Sequence, residues 1–315
     1  MNTEQIAKNE VVILTDSTCD LSEEILAENK IGVLPLYIII DNKQYRDMVE
    51  LKTKEMYELS EKTGSHPKTS TASVQDFYDF FMKYLREGKE IIYCGIGDKL
   101  SSSYKNLPII QDLIEEKHPE YNGLLHFVDS MNLSTGIALV LLKMCKARDE
   151  GLSASEIIEI GNKTAKLARA QFCVPNLTYI YKGGRCSNAS KFIGNLLSIK
   201  PMLKVVDGKL NVWKKSIGSF KKALNIMIDE FLELFPNIDK DTVFITHSLG
   251  DKYAAYIKNK IQEVSSQITN LYETYAGCVI SSHCGQGTIG ILYTMKDESI
   301  VPIQKKKRKA KKENE

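Results

Sequence analysis

Four short apolar runs, 11–14, 91–94, 124–128 and 243–245, are each followed by small polar residues: Asp16-Ser17-Thr18, Gly95-Ile96-Gly97-Asp98, Asp129-Ser130 and His247-Ser248. In open parallel sheets the carboxyl ends of strands form the crevice where ligands bind, so the four tracts are expected to converge on one place. Taken singly, each Ser, Thr or Asp is equally a helix cap. Two hydroxyl clusters, Thr69-Ser70-Thr71-Ala72-Ser73 and Ser101-Ser102-Ser103, each lead into a helical pattern, where unpaired backbone N–H groups point outward. Hydroxyls beside helix N-termini suit an anionic head group, held by charge-assisted hydrogen bonds without a full positive charge.

His283 opens His283-Cys284-Gly285-Gln286-Gly287-Thr288-Ile289-Gly290, a formal G-x-G-x-x-G. A dinucleotide fingerprint opens a helix and precedes an acidic residue by about 20 positions, whereas this segment runs into another strand near the chain end, so that reading is rejected. The glycines instead let the backbone turn closely past something. His283 can donate to a carboxylate, and a satisfied buried histidine fits the same position. A triad from Ser101, His247, His283 and an Asp lacks a G-x-S-x-G elbow, and Cys284 beside His283 is only a neighbour in sequence. No G-x-x-x-x-G-K-[ST] occurs, which removes a phosphate-binding loop. The seven cysteines are odd in number without a C-x-x-C pair, and read as reduced thiols. With the five histidines they show no zinc-like spacing, so neither metal nor cofactor is expected.

The elements that must position these residues alternate short apolar runs with helical patterns, the signature of α/β architecture with mostly parallel strands. After Ser73, which forms a capping-box-like start with Asp76, Phe77, Phe80, Phe81 and Tyr84 share one helix face. Leu224, Ile228, Phe231 and Phe235 form a second stripe, and 139–145 is apolar enough to be largely buried. At 315 residues, 43% hydrophobic and 26% charged, the chain has the size for two α/β domains with a cleft between them. No apolar stretch approaches the roughly 20 residues of a membrane span, and the N-terminus, with Glu4, Lys8 and Glu10, lacks an apolar signal core; a cytoplasmic location is expected.

The net charge of +2 conceals an asymmetry. The run 305–315 holds seven basic and two acidic residues, and the remaining 35 basic and 38 acidic residues leave the body at −3. A slightly acidic body argues against a general nucleic-acid binder. The tail lacks apolar residues and is expected to be disordered. It reads as a solubilising end, as a transient contact for anionic membranes, or as an attractor of phosphate backbones.

Taken in order, Asp16-Ser17-Thr18-Cys19-Asp20-Leu21, Pro67-Lys68-Thr69-Ser70, Leu100-Ser101-Ser102-Ser103-Tyr104, Val128-Asp129-Ser130 with Ser134-Thr135-Gly136, Lys182-Gly183-Gly184-Arg185, Ile199-Lys200-Pro201 and His283-Cys284-Gly285-Gln286-Gly287 resemble the DegV family of bacterial fatty-acid-binding proteins, carrier subunits of fatty acid kinase, over residues 10–294. The resemblance implies a two-domain α/β fold with a mostly parallel sheet in an N-terminal domain (1–165, carrying the head-group loops) and a mixed sheet with helices in a C-terminal, lipid-binding domain (166–302), before the basic tail 303–315. It implies a long-chain fatty acid whose carboxylate lies near the domain junction, with Thr69, Ser101 and His283 matching the family's carboxylate contacts and Ser70 adjacent. Asp16 and Asp129 match surrounding loops. It also implies a carrier without catalysis of its own, serving a separate fatty acid kinase subunit, although the arginine usual before Lys214-Lys215 is not present. From the residues alone, a carrier of another amphiphile and an enzyme acting on a carbonyl or acyl ligand through His283 also fit.

Overall fold

The computed structural model describes residues 9–186, 189 and 199–297. In chain order its strands are β1 (Val11–Asp16), β2 (Ile31–Leu34), β3 (Tyr37–Ile40), β4 (Lys43–Arg46), β5 (Lys68–Ser70), β6 (Glu90–Tyr93), β7 (Leu125–Phe127), β8 (Ala168–Cys173), β9 (Ile199–Val206), β10 (Lys209–Ile217), β11 (Ile238–His247), β12 (Asn270–Tyr275) and β13 (Ile289–Met295). The four apolar runs read from the sequence lie on β1, β6, β7 and β11, the last far longer than its apolar centre.

The first sheet, in the order β2-β1-β6-β7, is parallel throughout. Its strands are short and apolar on both faces because helices cover both. Val74–Leu85 and Ser103–Lys117 pack on one side, Thr135–Asp149 and Ala154–Leu167 on the other. A second, antiparallel sheet, β4-β3-β5, also lies in this half, so the expected mostly parallel arrangement is accompanied by a small antiparallel one. The third sheet, β10-β9-β8-β13-β11-β12, is mixed: β11 and β12 run parallel and the remaining pairs antiparallel.

Helix Thr135–Asp149 packs against β1 of the first sheet and against β8, β11 and β13 of the third. A helix clamped between two sheets must be apolar nearly all round, and Ile137 through Leu141, Met144, Cys145 and Ala147 are buried. Its half-buried Lys143 is neutralised by Asp239 and Asp241, each at 2.8 Å. The stripe Leu224, Ile228, Phe231 and Phe235 is buried where helix Phe220–Leu234 and the turn after it cover the opposite face of the third sheet.

Helix Val74–Leu85 begins with the expected box: Ser73 Oγ accepts from the Asp76 N–H at 3.1 Å, and the Ser73 N–H donates to Asp76 Oδ2 at 2.8 Å. Phe77 and Phe81 are fully buried, meeting Tyr93 of β6 edge-on at 5.7 and 5.6 Å between ring centres. Phe80 is only half-buried. Truncating a fully buried aromatic removes its transfer energy and leaves a cavity, so Phe81→Ala is expected to cost about 3–5 kcal/mol. Phe80→Ala on the same helix should cost clearly less. Urea unfolding of both variants checks this, and equal losses would contradict the assigned face.

Candidate functional site

The carboxyl ends of β1, β6 and β7 lie side by side because those strands are parallel neighbours. The loops leaving them are tied together by backbone and carboxylate contacts. Asp16 Oδ2 accepts from the Ile96 N–H at 3.0 Å and the Tyr93 hydroxyl at 3.1 Å. Asp129 Oδ1 accepts from the N–H groups of Asp98 at 3.2 Å and Met131 at 2.8 Å, and the Gly97 N–H donates to Asn132 O at 2.9 Å. Asp16 and Asp129 therefore shape the loops, as the sequence suggested. Ile96, Ser101 and Ser102 of the β6 loop, and Leu133 and Ser134 beyond β7, reach a cavity of about 270 Å³. His247 and Ser248, after β11, reach the same cavity from the third sheet. Of the four polar tracts, those after β6 and β11 reach the cavity, through Ile96, His247 and Ser248, while Asp16-Ser17-Thr18 and Asp129-Ser130 do not line it and act on the neighbouring loops instead.

Thr69 and Ser70 sit on β5 opposite Ile38 and Tyr37 of β3, and it is Ser73, four residues after Thr69, that caps the next helix. Thr69 Oγ1 lies 3.0 Å from Nε2 of His283. His283 belongs to helix Cys278–Cys284, and Gly285 with φ of 85° ends that helix. From the other side Gly183 approaches: a Cβ there would lie 2.5 Å from His283 Nδ1, so only glycine leaves room for the imidazole. Ser101 is linked through Ser103 Oγ, at 3.0 Å, to Thr71 Oγ1, 2.6 Å further. Thr69, Ser70, Ser101 and His283 all line the cavity, so the structure brings the four sequence-derived candidates to one wall. Ser70 already donates to the Thr71 carbonyl at 3.2 Å.

Away from that wall the cavity is apolar, with Leu36, Phe172, Leu210, Val279 and Leu292 buried around it. The polar side chains on its inner side are satisfied by one another. Thr246 bonds to Thr135 at 2.6 Å and to Thr274 at 2.9 Å, Ser248 to Tyr57 at 2.7 Å and Ser281 at 2.8 Å. His247 accepts from the Gly250 N–H at 3.1 Å through Nδ1, leaving Nε2 to donate to Glu273 at 3.2 Å. These groups have little hydrogen-bonding capacity left for a ligand, which makes the inner cavity effectively apolar. The hydroxyl wall lies toward solvent, because Ser102 and Arg185 there are exposed.

The electrostatics are one-sided: among the described residues no acidic side chain lines the cavity, and Arg185 does. Burial, with Arg185 and His66 adding repulsion, pushes the His283 imidazole down to about 4, so it is a neutral donor and acceptor near neutrality. Among the described residues its buried Nδ1 has no hydrogen-bond partner. Burial pushes the neighbouring Cys284 thiol up to about 12, which keeps it protonated and a weak nucleophile. His283 Nε2 is hydrogen-bonded to the Thr69 hydroxyl, and among the described residues no carboxylate bonds to the ring. No local sequence signal marks Gly183, Phe172 or Leu292 as part of the site. Gly183 stood in the Gly-Gly-Arg motif, but its partner is remote in sequence, and the two apolar residues looked like ordinary core.

Because the folded pKa of His283 lies below the ordinary histidine value of 6.5, the unfolded chain binds more protons between the two values. Stability must then rise with pH from about 4 to 6.5, and His283 protonation opposes folding below that window. Against the wild type, His283→Gln should flatten this part of the stability curve, measured by urea unfolding at closely spaced pH. A parallel pair of curves would show that the imidazole is not buried as described.

The chain matches the DegV family model, described as "Uncharacterised protein, DegV family", over residues 10–296. A DegV domain-containing protein of Clostridium acetobutylicum is 32% identical over 286 residues, 91% of this chain and 99% of the relative. Among solved structures, the fatty-acid-binding DegV family protein of Thermus thermophilus superposes with a TM-score of 0.81 at 25% identity, covering 91% of this chain and 99% of its own. The fatty-acid-binding DegV family protein of Streptococcus agalactiae does so at 0.79 and 28%, covering 92% and 100%. The motif order read from the sequence, the paired parallel and mixed sheets and these matches agree: the chain belongs to the DegV family.

Proposed function

We propose that this protein is a carrier, without catalysis of its own, that holds one long-chain fatty acid with its acyl chain in the cavity and its carboxylate at Thr69, Ser70, Ser101 and His283. The observation that carries the reading is the division of a single cavity into an apolar, internally satisfied inner part and an acid-free wall of neutral donors beside Arg185. Burial at about 0.8 kcal/mol per CH₂ gives a long acyl chain more than about 10 kcal/mol of gross driving force, so the head group needs only positioning. The fatty-acid-binding relatives of Thermus thermophilus and Streptococcus agalactiae support the same ligand class.

The proposal extends to presentation. With the part-buried Thr69, Ser70, Ser101 and His283 lying behind the exposed Ser102 and Arg185, a bound carboxylate would sit shielded just beneath the surface, where a separate fatty acid kinase subunit docking over that rim would reach it for phosphorylation. In this reading residues 1–165 supply the head-group loops and 166–302 the lipid-binding part, in the cytoplasm. The basic run within 303–315 lies outside the described residues. It is proposed to make transient contact with anionic membranes, since clustered Lys and Arg contribute up to about 1 kcal/mol each near such a surface.

Protein purified gently from a bacterial host should yield close to one long-chain fatty acid per chain on organic extraction and mass spectrometry. Ser101→Ala and His283→Ala each remove a partner from a largely buried carboxylate and should weaken binding by roughly 1–3 kcal/mol. Extraction of a different amphiphile, or turnover of the extracted cargo by the protein alone, would replace this reading with another. Unchanged affinity in both variants would remove the head-group assignment while leaving the ligand class standing.

A further inference from the structure

Helix Cys278–Cys284, which delivers His283 to the cavity, is only seven residues long. A helix this short is not stable by itself, because nucleation costs more than two turns of hydrogen bonds return. Its position is therefore imposed from outside. The donors at its start point into the half of the molecule that carries β1 to β7, and two carboxylates meet them there. Asp47 Oδ1 accepts from the Cys278 N–H at 2.8 Å and Asp47 Oδ2 from the Val279 N–H at 3.4 Å. Asp20 Oδ1 accepts from the Gly277 N–H at 2.8 Å.

Both carboxylates are themselves fixed. The Ser17 hydroxyl donates to Asp47 at 2.9 Å and accepts from the Leu36 N–H at 3.1 Å. The hydroxyl of Ser134, a residue lining the cavity, donates to Asp20 Oδ2 at 2.5 Å. Two more contacts grip the same helix start: Thr53 Oγ1 donates to the Ala276 carbonyl at 2.6 Å and Cys278 Sγ to the Leu51 carbonyl at 3.2 Å. Space is tight as well, since a Cβ on Gly277 would lie 3.2 Å from Asp47 Oδ2. Asp20 and Asp47 are buried, with 1% and 0% of their surface exposed, and among the described residues neither forms an ion pair. Two buried carboxylates without a counter-cation are a costly arrangement. Burial pushes both carboxyls above the usual carboxylate range, Asp20 well above it, while the backbone N–H groups of the helix start and the Ser17 and Ser134 hydroxyls pull in the other direction and offset part of that cost.

We infer that Asp47 and Asp20 are positioning residues for the head group: bonded across the junction to the start of helix Cys278–Cys284, they fix where its other end places His283 against Thr69. The lever is short and stiff. His283 lies five residues after Cys278, about 7.5 Å along a helix axis, so a shift or tilt at Asp47 is transmitted to the imidazole. The inference rests on the proposed fatty-acid reading for its consequence, and its geometry stands independently of it.

The test compares palmitate with 1-hexadecanol, which shares the chain but lacks the carboxylate, by isothermal titration of delipidated protein. Asp47→Asn keeps the side-chain shape and removes the charge. It is expected to weaken palmitate binding about tenfold, the scale of one lost charge-assisted hydrogen bond, and to leave hexadecanol affinity unchanged. Combined with His283→Gln it should cost little beyond the worse single variant. In the cargo-free protein the His283 imidazole, followed by NMR, should titrate closer to 6.5 in Asp47→Asn than in the wild type. The milder Ser17→Ala, which removes one donor to Asp47, should shift the same readouts in the same direction by less, and serves if Asp47→Asn does not fold. Equal weakening for both ligands, fully additive losses, or an unmoved His283 titration would overturn the inference. If the wild type binds neither ligand, the fatty-acid reading fails, and the NMR arm still decides whether the carboxylates position His283.

Discussion

The contact between the Thr69 hydroxyl and the His283 imidazole, 3.0 Å apart, joins a strand of the first half of the chain to a helix of the second at the wall of the cavity. Everything near it serves the approach of these two groups. Pairing of β5 with β3 presents Thr69, glycine at 183 leaves the imidazole room, and the helix bearing His283 is fixed at its start by carboxylates from the opposite half. None of these contacts is strong alone. A hydrogen bond contributes about 1 kcal/mol net, so the contact owes its persistence to the packed sheets on either side.

The division of the cavity follows from the same economy of polar groups. On its inner side Thr246, His247 and Ser248 spend their donors and acceptors on each other and on buried neighbours, so a ligand meets saturated surface there. At the outer wall the Thr69, Ser70 and Ser101 hydroxyls and the His283 ring line the cavity and Arg185 supplies positive charge. In the proposed reading this separates the sources of affinity and orientation: methylene burial supplies the free energy, and a few neutral donors decide which end faces out. In the ligand-free protein burial pushes the imidazole down to about 4, so an incoming carboxylate meets it as a neutral group.

Much of this architecture was legible in the residues. The strand runs, the capping box at Ser73 and Asp76 and the two aromatic or apolar stripes are local patterns, and they lie where their periodicity predicts. The polar tracts after β1, β6 and β7 are legible as a set because parallel neighbours present their ends on one edge; that the tract after β11, from the mixed sheet, meets the same cavity depends on how the two sheets pack. Helix Cys278–Cys284 was not, since a run of Cys, Val and Ile fits a buried strand equally well. Its caps come from Asp20 and Asp47, remote in the chain. Thr69 and Ser70 were recognised as a polar cluster, but their place on a strand depends on pairing with β3, which no short-range pattern reveals. The closeness of Gly183 to His283 is likewise purely tertiary.

The central claim is that a fatty carboxylate sits at this wall, shielded from bulk water and beside His283. Carbon-13 NMR of palmitate labelled at its carboxyl carbon and bound to the protein tests it most directly. The account predicts one narrow carboxyl resonance whose shift stays nearly constant across the pH range where aqueous fatty acid titrates, with a nuclear Overhauser contact to the His283 ring. A resonance that titrates like free fatty acid, with no contact to that ring, would contradict it.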